Sequence, residues 1–246
     1  MEELIPLTDF DLRPFPTISE EEKVDFIINT NKHERINLTE DQVHSSIMIY
    51  QNALPAVSGQ LRCINSITEL AQNPNLIPKP DKITKTTLTK FFPWLFNLHG
   101  NLLLDFAQEG EKKLNDIDYP LKSDLGQYRK EERSLGHRKM PPPDQIKQLL
   151  VEAFQSYAYV YHQYHEKIST PRIMELSDWK KLEEAAYKLN LRLCCIKPFK
   201  EGSNRVARLT ENLLRLNCGL KFKVIEDTDK LLRDIWYLQD AEYKIS

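Results

Sequence analysis

An all-α fold is the class this sequence predicts: a mostly helical chain with one polar stretch that reads as a short hairpin or a loop. Three observations carry that reading. Glycine is scarce, 7 in 246 residues, whereas short β-rich folds need glycines in their turns. Long stretches place apolar residues at helical spacing. Several of those stretches open on residues that cap helices.

Taken in chain order, residues 1 to about 20 read as an arm, because Pro6, Pro14 and Pro16 prevent a continuous helix. Ser19 followed by Glu20, Glu21 and Glu22 is a helix start with acids in the first turn. Thr39 before Glu40 and Asp41 is another. Asn73 to Pro80 reads as a linker punctuated by Pro74, Pro78 and Pro80. A helix is expected from Thr86 or Thr87, with Leu88, Phe91, Leu95, Leu98 and Leu102 on one face and Pro93 in its first turns or at a kink.

The stretch from Gly126 to Lys139 is polar and lacks a helical stripe, so it reads as a short β-hairpin or a loop. Pro141, Pro142 and Pro143 end it. Asp144 then opens a long helix carrying Ile146, Leu150, Phe154, Tyr157 and Tyr161. Another begins at Ser177-Asp178-Trp179 and runs into Leu193-Cys194-Cys195-Ile196; a last one spans Val206 to Cys218, with Gly219 at its C-cap. The chain thus divides into an arm and short helix over 1–35, a helical extension with a Pro-rich linker over 36–83, and a core with a C-terminal extension over 84–246.

Composition narrows the function classes. The net charge is −2, without the basic surplus of a general nucleic-acid binder. Cys63, Cys194, Cys195 and Cys218 have no C-x-x-C spacing, so a zinc site is not expected; Cys194 and Cys195 read as small buried residues, and the usage fits a reducing, cytoplasmic setting. No apolar run approaches the ~20 residues of a membrane span, and no signal peptide is visible. His162 and His165 stand three apart, but a packed aromatic helix explains them better than a metal pair. Arg129, Lys130, Arg133, Arg138 and Lys139 could meet an acidic partner or a phosphate, but Glu131 and Glu132 stand among them and a solvated hairpin is the default reading. His99, beside an apolar stripe, reads as a hydrogen-bonded structural histidine.

The segment that carries chemistry is Lys197-Pro-Phe-Lys-Glu-Gly-Ser-Asn-Arg-Val-Ala-Arg208. Pro198 ends one helix. Gly202, Ser203 and Asn204 tolerate the dihedrals that turn backbone amides inward, and another helix follows at once. Such a loop leaves N–H groups unpaired at the positive end of a helix dipole, which is an anion site. Ser203 is a good N-cap and hydroxyl donor, and Asn204 suits a left-handed backbone. Arg205 and Arg208, three apart, share a helix face and can fork onto phosphate oxygens. Glu201 on the loop can hold Mg²⁺ between phosphates. The plainer reading is an ordinary loop between helices with a Glu201–Arg205 surface pair.

This segment resembles the Fic signature H-P-F-x-[DE]-G-N-G-R-x-x-R without insertion or deletion, through Pro198, Phe199, Glu201, Gly202, Arg205 and Arg208. Gly126-Gln-Tyr-Arg129 resembles the element before the family's flap, and Leu98-His99-Gly100 its upstream Leu-His helix. The resemblance spans roughly residues 84 to 220. It implies a Fic-like helical bundle with one small β-hairpin flap. It also implies transfer of a nucleoside monophosphate, most often AMP from ATP, to a target-protein hydroxyl. Glu201 would hold Mg²⁺, the loop at Gly202, Ser203 and Asn204 the inner phosphates, and Arg205 and Arg208 the outer ones. A target protein would dock as a strand on the flap near 126–140.

Lys197 stands at the position of the family's proton-accepting histidine. An ordinary lysine is largely protonated at neutral pH and is a poor base, so Lys197 is the catalytic residue only where burial lowers its pKa, and the plainer reading is a phosphate contact or a solvated surface residue. Ser203 and Asn204 replace an asparagine and a glycine. The resemblance therefore implies either a divergent adenylyltransferase, moving AMP or another phosphate-containing group, or a catalytically impaired member serving as a binding or regulatory module. Many members also carry a helix of form [ST]-x-x-x-E-[GN], whose glutamate pairs with the second motif arginine. Thr30 to Glu34 has that spacing, but Arg35 breaks the pattern, and the sequence supports no assignment of autoinhibition.

Overall fold

The computed structural model describes residues 17–34, 36–48, 54–112, 120–135, 138–168 and 174–243. Most of the arm, Arg35 and the tip of the hairpin lie outside them. The described residues are dominated by helices: α1 (Glu20–His33), α2 (Glu40–Met48), α3 (Pro55–Leu70), α4 (Leu88–Phe91), α5 (Pro93–Lys112), α6 (Ile146–Ile168), α7 (Leu176–Ile196), α8 (Ser203–Asn217) and α9 (Thr228–Glu242). Two short antiparallel strands, β1 (Ser134–Leu135) and β2 (Arg138–Lys139), pair Ser134 with Lys139 and Leu135 with Arg138. The bundle with one small hairpin is thus as predicted.

Local chemistry accounts for the boundaries. Ser19 and Glu22 form a reciprocal capping box at the start of α1. The helix expected from Thr86 is two: Pro93 cannot donate to Phe92's turn, so α4 ends and α5 begins with proline in its first turn. The proline run before α6 becomes a 3₁₀ turn at Pro143–Gln145. Two helices were not singled out in the sequence, α3 and α9. Gly59 explains why α3 lies so close to α5: a Cβ there would collide with the Leu102 carbonyl.

One hydrophobic core runs from Ile18 and Phe26 through Leu98, Phe154 and Leu213 to Leu238. Helix α8 sits at its centre, buried along every position from Arg205 to Leu216. Its apolar residues meet α3, α5 and α7, and its polar side chains are buried too. Each of these needs a partner brought from elsewhere in the chain. Arg215 finds Glu183 at 2.7 Å and the Lys221 carbonyl at 2.9 Å; Glu211 accepts from Asn190 at 2.7 Å. All four cysteines are free and buried. No helix among the described residues is long and apolar enough to cross a membrane.

Candidate anion-binding site

Two left-handed residues make the loop between α7 and α8. Lys197 closes α7 with φ 45° and ψ 68°, and Gly202 opens α8 with φ 72° and ψ 0°. Lys197 is the lone non-glycine residue with positive φ among those described. Gly202 needs to be glycine twice over: its φ disfavours a side chain, and a Cβ would press on Leu102 and Leu103. No side chain caps α8 at Gly202. The first-turn amides of Ser203, Asn204 and Arg205 therefore remain for an anion, with the dipole behind them.

The structure corrects two details of the motif. Ser203 is the first helical residue rather than the N-cap. Its hydroxyl donates to the Phe199 carbonyl and accepts from the Phe199 amide, both at 3.0 Å, so it staples the loop instead of facing a ligand. Asn204 is helical and half-buried, and the left-handed turns fall to Lys197 and Gly202 instead. The cause is the same in both cases: the loop closes on itself one residue earlier than the helix-start signal suggested.

His99 and Arg129 fix the loop from below. The Gly126 amide donates to His99 Nδ1 at 2.9 Å, so Nδ1 carries the lone pair and Nε2 the proton. Nε2 then donates to the Glu201 carbonyl at 2.9 Å. The ring stacks on Phe199 at 4.1 Å, and burial pushes its pKa down to about 4. His99 is thus the structural histidine that the sequence suggested. Arg129, grouped above with a solvated hairpin, is instead buried. It donates to the carbonyls of Lys197, Glu131, Ile196 and Pro141, and its amide donates to the Pro198 carbonyl at 2.9 Å. A fork with five N–H donors suits a place where several backbone carbonyls converge.

Arg205 and Arg208 project from the first turns of α8, as the spacing predicted. Arg205 is buried over the Phe106 ring at 5.5 Å, with Nε and Nη1 lacking any partner. Arg208 donates from Nη2 to the Thr30 carbonyl at 3.2 Å and to Glu34 Oε1 at 3.0 Å. Burial alone would raise the Glu34 pKa, but Arg208, Arg205 and Lys197 outweigh it and hold the carboxyl below its ordinary range. A carboxylate from α1 thus stands among three cations of the motif.

Glu34 is the residue the sequence did not assign. The signal was Thr30-x-x-x-Glu34, set aside because Arg35 broke the pattern. The geometry depends only on Glu34 following the last turn of α1, which Arg35 does not prevent. Glu201 lies at the opposite, open side of the loop. Its carboxylate is half exposed and meets Arg133 Nη2 of the hairpin at 3.2 Å. Lys197 is half-buried beside the loop. Among the described residues no group of three or more His, Cys, Asp or Glu side chains stands ready to hold a metal. His162 Nε2 meets the Ile77 carbonyl at 3.1 Å, and the His165 side chain lies outside the described residues.

Comparison with known proteins agrees with this geometry. A family model described as Fic/DOC family matches residues 92–214. Among solved structures, the chain is similar to a Fic domain containing signaling protein from Bacteroides thetaiotaomicron, with a TM-score of 0.58 and 19% identity over 92% of this chain and 75% of that one. That likeness concerns the fold. No curated protein matches the chain.

Proposed function

The chain belongs to the Fic/DOC family, and on that premise we propose that it binds a nucleoside triphosphate, ATP in the first instance, at residues 197–208. The observation that carries this reading is Glu34. Two buried arginines and a lysine surround one carboxylate, and the uncapped end of α8 adjoins them. A phosphate offers the same charge with more oxygens, and Arg205 has two donors waiting for them. In this assignment Gly202, Ser203 and Asn204 contribute backbone amides to the inner phosphates, and Arg205 and Arg208 hold the outer ones. Glu201 fits Mg²⁺ as a single accessible carboxylate, since that ion completes its shell with phosphates and water. Bound there, Mg²⁺ would neutralise charge between phosphates, and Arg133 would have to yield Glu201.

The reaction class that follows is transfer of AMP, or another phosphate-containing group, to a target-protein hydroxyl. The target segment would add to the hairpin near 126–140. Glu34 makes this a gated site, because its carboxylate and the outer phosphates compete for Arg208. A second reading, a binding or regulatory module without transfer, is favoured by Lys197. It stands where the family's proton acceptor is a histidine.

Calorimetric titration of Mg²⁺·ATP into the wild type, Glu34→Ala and Arg205→Ala tests the proposal. Binding in Glu34→Ala that is lost when Arg205→Ala is added supports it. Absence of binding in all three sinks it. Mass spectrometry then separates the two readings: an adduct that vanishes in Glu201→Ala belongs to the transferase.

A further inference from the structure

Helix α8 holds more than Glu34 on its polar face. Arg208, Asn212 and Arg215 recur at four- and three-residue spacing and so form one stripe. Arg208 takes Glu34. Asn212 and Arg215 take the segment that follows the helix, residues 219–227, which is neither helix nor strand. Asn212 accepts from the Lys223 amide at 2.7 Å and donates to the Lys223 carbonyl at 3.0 Å; Arg215 donates to the Lys221 carbonyl at 2.9 Å. Gly219, at φ 81°, turns the chain into this path.

The far side of the same segment lies on α1. Phe222 packs edge-on against Phe26 with ring centroids 5.0 Å apart. His33 Nε2 lies 2.8 Å from the Ile225 carbonyl. A carbonyl only accepts, so Nε2 carries the proton, and Nδ1 is left buried without a partner. His33 is the last residue of α1, and Glu34 is the next. The short turn that carries the inhibitory carboxylate is therefore pinned on both sides, by Arg208 ahead of it and by Ile225 behind it.

We infer that residues 219–227 form a strap that seats α1, and that His33 is the positioning residue that keeps Glu34 on Arg208. The inference rests on the nucleotide reading above and names the regulation of that site. Glu34 has to leave before a phosphate can take Arg208, so nucleotide affinity is reduced by the fraction of molecules in which it is seated. A residue that stabilises the seated state alone weakens nucleotide binding without touching the nucleotide. Whatever lifts the strap from α1 would then open the site.

The test is calorimetry with Mg²⁺·ATP on full-length variants. His33→Ala should tighten binding about fivefold, the effect of one net hydrogen bond removed from the seated state. His33→Gln, which keeps an N–H for the Ile225 carbonyl, should stay near wild type. His33→Ala combined with Glu34→Ala should bind no tighter than Glu34→Ala alone, since both act through one carboxylate. Phe222→Ala removes the segment's other contact with α1 and should tighten binding in the same direction. Tightening by Glu34→Ala with no change in either His33→Ala or Phe222→Ala would overturn the strap and leave the nucleotide site standing. Full additivity in the double variant would also overturn it. Failure of every variant to bind would remove the nucleotide reading itself, and the strap's role with it.

Discussion

Two acid–base contacts flank the anion loop, and they differ in what surrounds them. Glu34–Arg208 is inside: the arginine side chain is 2% exposed and the glutamate 25%. Arg133–Glu201 is outside, at 36% and 50%. Their lengths are similar, 3.0 and 3.2 Å, so distance does not separate them. Solvent does. An exposed pair is worth about 0–1 kcal/mol, because water and salt serve either partner nearly as well. Breaking a buried pair leaves an uncompensated charge and costs about 3–5 kcal/mol. Under the proposed nucleotide assignment, the contact that gates the site is therefore the one at the end of α1, while the hairpin arginine is an easily displaced occupant of the proposed cation ligand.

Glu201 lies on that loop and Arg208 on the helix it opens, so a change that lifts the loop's floor perturbs both contacts. His99 titrates at about 4 when folded, against about 6.5 unfolded. Between those values the unfolded chain binds more protons, so stability is fully present above about pH 6.5 and falls as the pH drops toward 4. The contribution is about 3 kcal/mol at most. Urea melts of the wild type and His99→Gln over that window should show a steeper acid loss in the wild type. Parallel curves would separate the loop from His99.

Removing only the inner contact comes next. Glu34→Ala should tighten Mg²⁺·ATP binding by about one to two orders of magnitude, with a lowered melting temperature because Arg208 loses its carboxylate. The Glu34 carboxyl is held below its ordinary range, so this lock is present above the ordinary carboxylate pKa and opens only as the pH falls through the depressed one. Unchanged affinity in Glu34→Ala would erase the difference between the two contacts.

The smallest effect belongs to the outer contact. Arg133→Ala should shift Mg²⁺·ATP affinity by about twofold or less, and the shift should fade with added salt. A tenfold change there would mean that the hairpin, and not α1, controls access.

The sequence made much of this legible. The helices with apolar faces, the proline stops and the motif over 197–208 depend on neighbours a few residues apart, and spacing reports such neighbours directly. Family membership followed from the same stretch. The roles of Ser203 and Asn204 were misplaced by one position, because hydroxyl and amide side chains suit either a cap or a loop staple and only the closed backbone decides between them. Arg129 looked like a surface cation because polar spacing shows charge and not burial. α3 was passed over because it lacks a strong cap and carries Gly59, whose purpose is visible only against Leu102.

Sequence by itself determined the helical architecture, the place of the polar stretch that forms the hairpin, and the motif residues of the loop between α7 and α8. Tertiary structure alone decided which of those residues are already taken. Glu34 reaches Arg208 across 174 positions, His33 reaches Ile225 across 192, and Arg133 reaches Glu201 across 68. No periodicity encodes such pairings. The first two arise where the packing of α1 and residues 219–227 around α8 buries a polar stripe, whose charges must then find partners in whatever chain the fold brings to them, and the third joins two exposed side chains that the hairpin brings to the loop.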